Sequence, residues 1–115
     1  VMSLSALQGL FDKNAFNALV AYDQDVAVGY SVWSEGFHTF DGLFMYIDDI
    51  FVIPDYRGKG VGKKLLSDLI NIAHDNQYSN VEWLVEKDNE DLRQWYDGIG
   101  SKVLTKYEYR RLRSN

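Results

Sequence analysis

The chain has 115 residues, enough for one domain around one core, and its composition (46% hydrophobic, 15% aromatic, one proline) excludes a disordered polymer. It has no cysteine, which removes disulfides, thiolate metal sites and a cysteine nucleophile, and its net charge of −5 argues against nucleic acid and favours a small cationic partner. No apolar run reaches the ~18–20 residues that cross a bilayer, and VMSLSALQGLF lacks the basic start and long apolar stretch of a signal peptide, so a soluble cytoplasmic protein with no membrane partner is expected.

Residues 3–12 place Leu4, Leu7 and Phe11 at helical spacing behind Ser3, a suitable N-cap. Residues 18–22 and 26–33 are rich in strand formers, and the Asp23-Gln24-Asp25 turn between them predicts a hairpin. GFHTFDG (36–42) reads as the next turn, and Leu43 to Ile53 as a long central strand ended by Pro54. From Val61, residues Leu65, Leu66, Leu69, Ile70 and Ala73 form the apolar face of an amphipathic helix. Asn80 to Glu86 alternates like a strand, and NEDLRQWYDGIG (89–100) is a short helix closed by Gly98 or Gly100. SKVLTKYEYRRL (101–112) supplies a last strand. This order predicts a single α/β domain over 1–115 with a mixed sheet flanked by helices.

The chemistry concentrates in MYIDDIFVIPDYRGKGVGKKLL (45–66). Asp48 and Asp49 interrupt an apolar strand, where an unpaired buried carboxylate would cost several kcal/mol or take up a proton. RGKGVGKK then offers unobstructed backbone N–H groups opening into a helix, with Arg57, Lys59, Lys63 and Lys64 adding positive charge. A phosphate or pyrophosphate is the expected ligand. A Walker A loop would need glycine where Arg57 stands and a hydroxyl where Lys64 stands. A dinucleotide fingerprint would need G-x-G-x-x-G, whereas Gly58, Gly60 and Gly62 alternate as G-x-G-x-G. R/Q-x-x-G-x-G/A fits fully, through Arg57, Gly60 and Gly62.

With this motif the chain resembles the GNAT acetyltransferase superfamily, and within it the spermidine/spermine, diamine and thialysine acetyltransferases. Those carry an acidic pair, an apolar triplet, DYRGxGIG, a helix, a strand and NExxxxFYxxxGA. Here the same order is Asp48–Asp49, Ile50–Phe51–Val52, DYRGKGVG, the helix, VEWLVEKDNE and QWYDGIGS. The resemblance implies a GNAT-like, mostly antiparallel sheet whose central strand is bulged and splayed. It implies acetyl-CoA as cosubstrate, no metal, and acetyl transfer to a primary amine, small or polyamine-like.

Such a transfer has two proton problems. An amine of pKa ~10.4 must lose its proton, at about 4.6 kcal/mol at pH 7, and the leaving thiolate is expelled better if protonated. By resemblance, Asp48 attracts the amine and accepts its proton through water, although it is shorter than the family's commoner glutamate. Asp49 is the second member of the pair, open equally to a role in hydrogen bonding the bulged backbone. Tyr96, a phenol protonated at neutral pH, donates to the sulfur. Ile50, Phe51 and Val52 offer backbone groups to the pantetheine arm. Arg57, Gly58, Lys59, Gly60, Val61, Gly62 and Lys63 hold the pyrophosphate, and Asn89 closes over the cofactor. Glu82 and Trp83 fall on the acceptor side. Trp95, His38 and His74 are assigned to structure; His38 stands where the nearest relatives carry an acid.

The resemblance also implies that the chain lacks the family's first strand and helix, and that it forms a homodimer through its C-terminal strand. Two alternatives stay open: a protein lysine or N-terminal acetyltransferase, and a catalytically silent acyl-CoA-binding module.

Overall fold

The computed structural model describes residues 2–106 and 108–114. The chain divides into two compact units after Leu84. In the first, α1 (Leu4–Asp12) starts as predicted, with the Ser3 hydroxyl oxygen accepting the Ala6 N–H at 3.1 Å. β1 (Asn17–Asp23) and β2 (Val26–His38) form the predicted antiparallel hairpin. β3 (Gly42–Val52) continues antiparallel to β2, and β4 (Val81–Trp83) joins β3 in parallel. The result is a mixed, mostly antiparallel four-stranded sheet in the order β1-β2-β3-β4.

A 3₁₀ turn at Pro54–Tyr56 leads to α2 (Val61–Asp75), which buries Leu65, Leu66, Leu69 and Ala73 and packs on the sheet. Val28, Trp33, Met45 and Ile47 complete the core. Each such large apolar side chain contributes about 1.5–3 kcal/mol by leaving water. Ser31 is also fully buried, and its hydroxyl donates to the Asp49 carbonyl at 2.8 Å. No helix among the described residues is long and apolar enough to cross a membrane.

Three sequence expectations need correction. GFHTFDG is not all turn, because β2 runs on to His38 and β3 begins at Gly42. Gly36 is there for packing: a Cβ on it would sit 2.3 Å from the Phe44 ring. Gly42, at φ +90°, is the glycine that turns the chain. β4 is shorter than the Asn80–Glu86 reading, stopping at Trp83.

The third correction lies in the second unit. There α3 (Glu90–Gly98) forms, and the closing glycine is Gly100, at φ +91°, whose N–H reaches the Asp97 carbonyl at 3.1 Å. The strand predicted over 101–112 is not formed among the described residues, and Tyr107 lies outside them. Strands exist by pairing, and the described part of this unit offers no ladder to join.

Candidate functional site

β3 carries the predicted bulge, and Asp48 is the extra residue. Asp49 pairs with Val32 and Ile47 with the adjacent Trp33, so Asp48 has no opposite number in β2. Alternation then turns Ile47, Ile50 and Val52 toward α2, and Asp49 and Phe51 toward the opposite, open face. The α2 side is marked by Gly62, whose Cβ position lies 3.9 Å from the Val52 side chain. Both aspartates are exposed, so neither meets the desolvation penalty that a regular strand would impose.

On the open face the Tyr30 hydroxyl donates to Asp49 Oδ2 at 3.2 Å, and its ring tilts against Phe51 at 5.6 Å. Partial burial, with the Asp49 charge and hydrogen bond next, pushes the Tyr30 phenol up. β4 pairs with β3 only from Met45 to Ile47. Beyond that point, residues 48–52 have no partner strand on that side among the described residues. The strand is therefore splayed from the bulge onward, and its backbone groups are open to an added chain.

The glycine loop follows directly. Gly58 (φ +76°) and Gly60 (φ +89°) adopt left-handed conformations that disfavour any side chain, and no atom stands within 4 Å of either Cβ position. Gly60 caps α2 without a side chain. The first-turn N–H groups of Val61, Gly62 and Lys63 have no acceptor inside the helix and point where its dipole favours an anion. Arg57 is anchored at the start of the loop. Its Nε donates to the Val52 carbonyl at 2.9 Å and its guanidinium lies 5.6 Å over Phe51, fastening the loop to β3. One lone pair of that carbonyl, expected to serve pantetheine, is thus occupied.

Tyr56 ties the loop to β1 by donating to Asp23 Oδ2 at 2.5 Å, a bond that is also the main cause of its raised pKa. Lys59 Nζ lies 5.3 Å from the Tyr56 ring, and Lys64 pairs with Asp68 at 2.7 Å. Lys63 is exposed at the start of the helix.

Glu82 and Trp83 are separated by the same alternation. Glu82, opposite Tyr46, falls on the open face with Asp49, whereas Trp83, opposite Ile47, falls on the α2 side. Glu82 Oε2 is 3.0 Å from His38 Nε2, and the His38 ring stacks on Phe44 at 4.1 Å and 7°. His38 thus has a partner that sequence reasoning missed. The two lie 44 residues apart, and no local pattern joins them.

In the second unit Asn89 is the N-cap of α3, its side-chain oxygen accepting the Leu92 N–H at 3.3 Å. Glu90 and Asp91 fill the first turn, where the dipole favours them. Tyr96 is half-buried beside Trp95, with ring centres 5.0 Å apart, and its carbonyl accepts the Ser101 hydroxyl at 2.7 Å.

A bulged strand thus runs into a left-handed glycine turn at a helix N-terminus, an arrangement that offers backbone N–H groups to an anion. Residues 3–101 match the Acetyltransferase (GNAT) family, and the chain belongs to it. It is 32% identical over 81 residues to the thialysine N-epsilon-acetyltransferase of Bos taurus, covering 70% of this chain and 48% of that protein. Against the L-amino acid N-acyltransferase MnaT of Escherichia coli (strain K12) the identity is 38% over 89 residues, covering 76% and 51%. The chain thus spans about half the length of the curated relatives it matches. Among solved structures, an integron cassette protein from the mobile metagenome of V. cholerae superposes with a TM-score of 0.82 at 25% identity, covering 99% of this chain and 75% of that one.

Proposed function

We propose that this chain binds acetyl-CoA and transfers its acetyl group to a small primary amine. The observation that carries the reading is the bulge at Asp48 a few residues before the Gly58–Gly60 cradle and the α2 N-terminus. The residues fit the donor: a Cβ at either glycine would enter open space with strained φ, and the first-turn N–H groups face outward for a pyrophosphate. Arg57 to Lys63 would hold that group, with Arg57 Nε also keeping the loop on the strand. Backbone groups of Ile50, Phe51 and Val52 would take the pantetheine arm, with Asn89 setting the start of α3. Bound acetyl-CoA would supply the activated thioester.

Asp48 would attract the ammonium and accept its proton, and Tyr96 would give a proton to the leaving thiolate. Support for an amine acceptor comes from the two relatives' names, both of which are N-acyl transfer names. The homodimer belongs to the same proposal. Its support is no longer the C-terminal segment but the outer edge of β1, which pairs with β2 alone among the described residues.

Isothermal titration of acetyl-CoA into the wild type and an Arg57→Ala/Gly60→Ala variant tests the donor site. At least a tenfold loss of affinity, ~1.4 kcal/mol, is expected. Equal affinity in two equally folded proteins would sink the assignment.

A further inference from the structure

Three strands contribute to one side-chain group on the open face of the sheet. β2 supplies Gly36 and His38, β3 supplies Phe44, and β4 supplies Glu82. The arrangement is nested. Gly36 leaves the space that the Phe44 ring fills, Phe44 is the flat support for the His38 ring, and His38 Nε2 meets Glu82 Oε2 at 3.0 Å. Neither end is sealed off: the side chains of His38 and Glu82 are 44% and 31% exposed, so a solute can reach the carboxylate. A histidine Nε2–H donating to one carboxylate oxygen leaves the other oxygen able to accept from a further donor.

Position along the sheet gives this carboxylate its use. Glu82 is paired with Tyr46, three residues before Asp49 on β3. At ~3.3 Å per residue and ~4.8 Å between strands, the backbone positions of the two residues stand roughly 10 Å apart on one face. An amine whose nitrogen reacts beside the bulge would present the far end of its chain near Glu82. An untethered glutamate would lose rotamer freedom in gripping that end, which weakens binding. Here the ring stack and the hydrogen bond remove that freedom before any ligand arrives.

We infer that His38 is a positioning residue, holding Glu82 so that it selects acceptors carrying a second cationic group remote from the reacting amine. The inference rests on the amine-acetylating reading and names what tells one amine from another. His38 acts through Glu82 and not on the reacting atoms.

The test compares kcat/KM for 1,5-diaminopentane with that for n-pentylamine. His38→Ala and Glu82→Gln should each lower the diamine-to-monoamine ratio at least tenfold. The double variant should be no worse than Glu82→Gln alone, since one residue works through the other. His38→Gln should restore most of the ratio, because the glutamine amide nitrogen lies the same number of bonds from Cα as Nε2. An unchanged ratio in His38→Ala, or a His38→Gln variant as impaired as His38→Ala, would overturn the inference. If the wild type acetylates neither amine, the acetyl-transfer reading fails. The positioning role is then decided by titrating 1,5-diaminopentane while following the His38 ring by NMR. A shift lost in Glu82→Gln supports it, and no shift overturns it.

Discussion

Two adjacent aspartates on one strand have different neighbours. Asp49 is engaged: Tyr30 donates to its side chain and Ser31 to its carbonyl. Asp48 sits at the unpaired position of the bulge. Asp48→Asn should therefore lower turnover for amines and raise KM while leaving acetyl-CoA affinity intact, since charge and proton acceptor go while volume stays. Asp49→Asn should mainly cost stability, about 1 kcal/mol or less, because an amide oxygen can still accept from Tyr30. Tyr96→Phe should cut turnover by ~10²–10⁴-fold if the phenol is the acid. Steady-state kinetics and thermal melts of the three variants check this together, and an Asp48→Asn enzyme with wild-type rates at every pH would end the catalytic role. The sequence exposed this pair because carboxylates in an apolar run are conspicuous. Tyr30–Asp49 and His38–Glu82 were not legible, since each joins residues that only the strand register brings side by side.

Among the elements, the helices were read almost as they stand, because caps and 3.6-residue spacing are local properties. Ser3, Asn89 and the apolar face from Leu65 to Ala73 each lie within a few residues of what they act on. Strand limits were harder, since a strand ends where its partner does. α2 is secured past its C-terminal end by Tyr78, which donates to Glu35 Oε2 on β2 at 2.5 Å and meets the Trp33 ring edge-on at 6.2 Å. Burial, then the Glu35 hydrogen bond, pushes the Tyr78 phenol up to about 12 from an ordinary value of 10.0. A group raised on folding contributes stability that is complete below its unfolded pKa and is lost as pH climbs through the folded one. Stability should thus fall between about pH 10 and 12. In Tyr78→Phe that part of the alkaline decline should be absent. Denaturant titrations across this window decide it, and identical slopes for the two proteins would remove Tyr78 as the cause.

At the scale of the whole chain, two properties oppose each other. The first unit shows water a shallow apolar depression on the open face, lined by Ala18, Val20, Ala27, Gly29, Tyr30, Phe51 and Ile53. It also exposes Leu4, Leu7, Leu10 and Phe11 on α1. Apolar surface and an unpaired strand edge both favour association. The net charge of −5 resists it, and salt screens that repulsion. Association should accordingly increase with protein concentration and with ionic strength. Light scattering at low and high salt measures both, and a monomer at every concentration would remove the homodimer. Composition had announced the charge and the apolar content. It did not announce where the apolar surface lies, because that depends on which sheet face α2 covers.

The bulge also has an arithmetic consequence. Counted forward from Met45 in steps of two, the covered side of β3 would take in Asp49. Counted backward from Val52, it would take in Asp48. Yet both are exposed, while Met45 and Ile47 are buried. β3 is two runs of opposite phase spliced at a single surplus residue. Removing Asp48 would leave every other side chain of the strand on its present side and opposite its present partner. The ladder gains nothing from it, so what the added residue provides is a pair of neighbouring carboxylates that both stay in water.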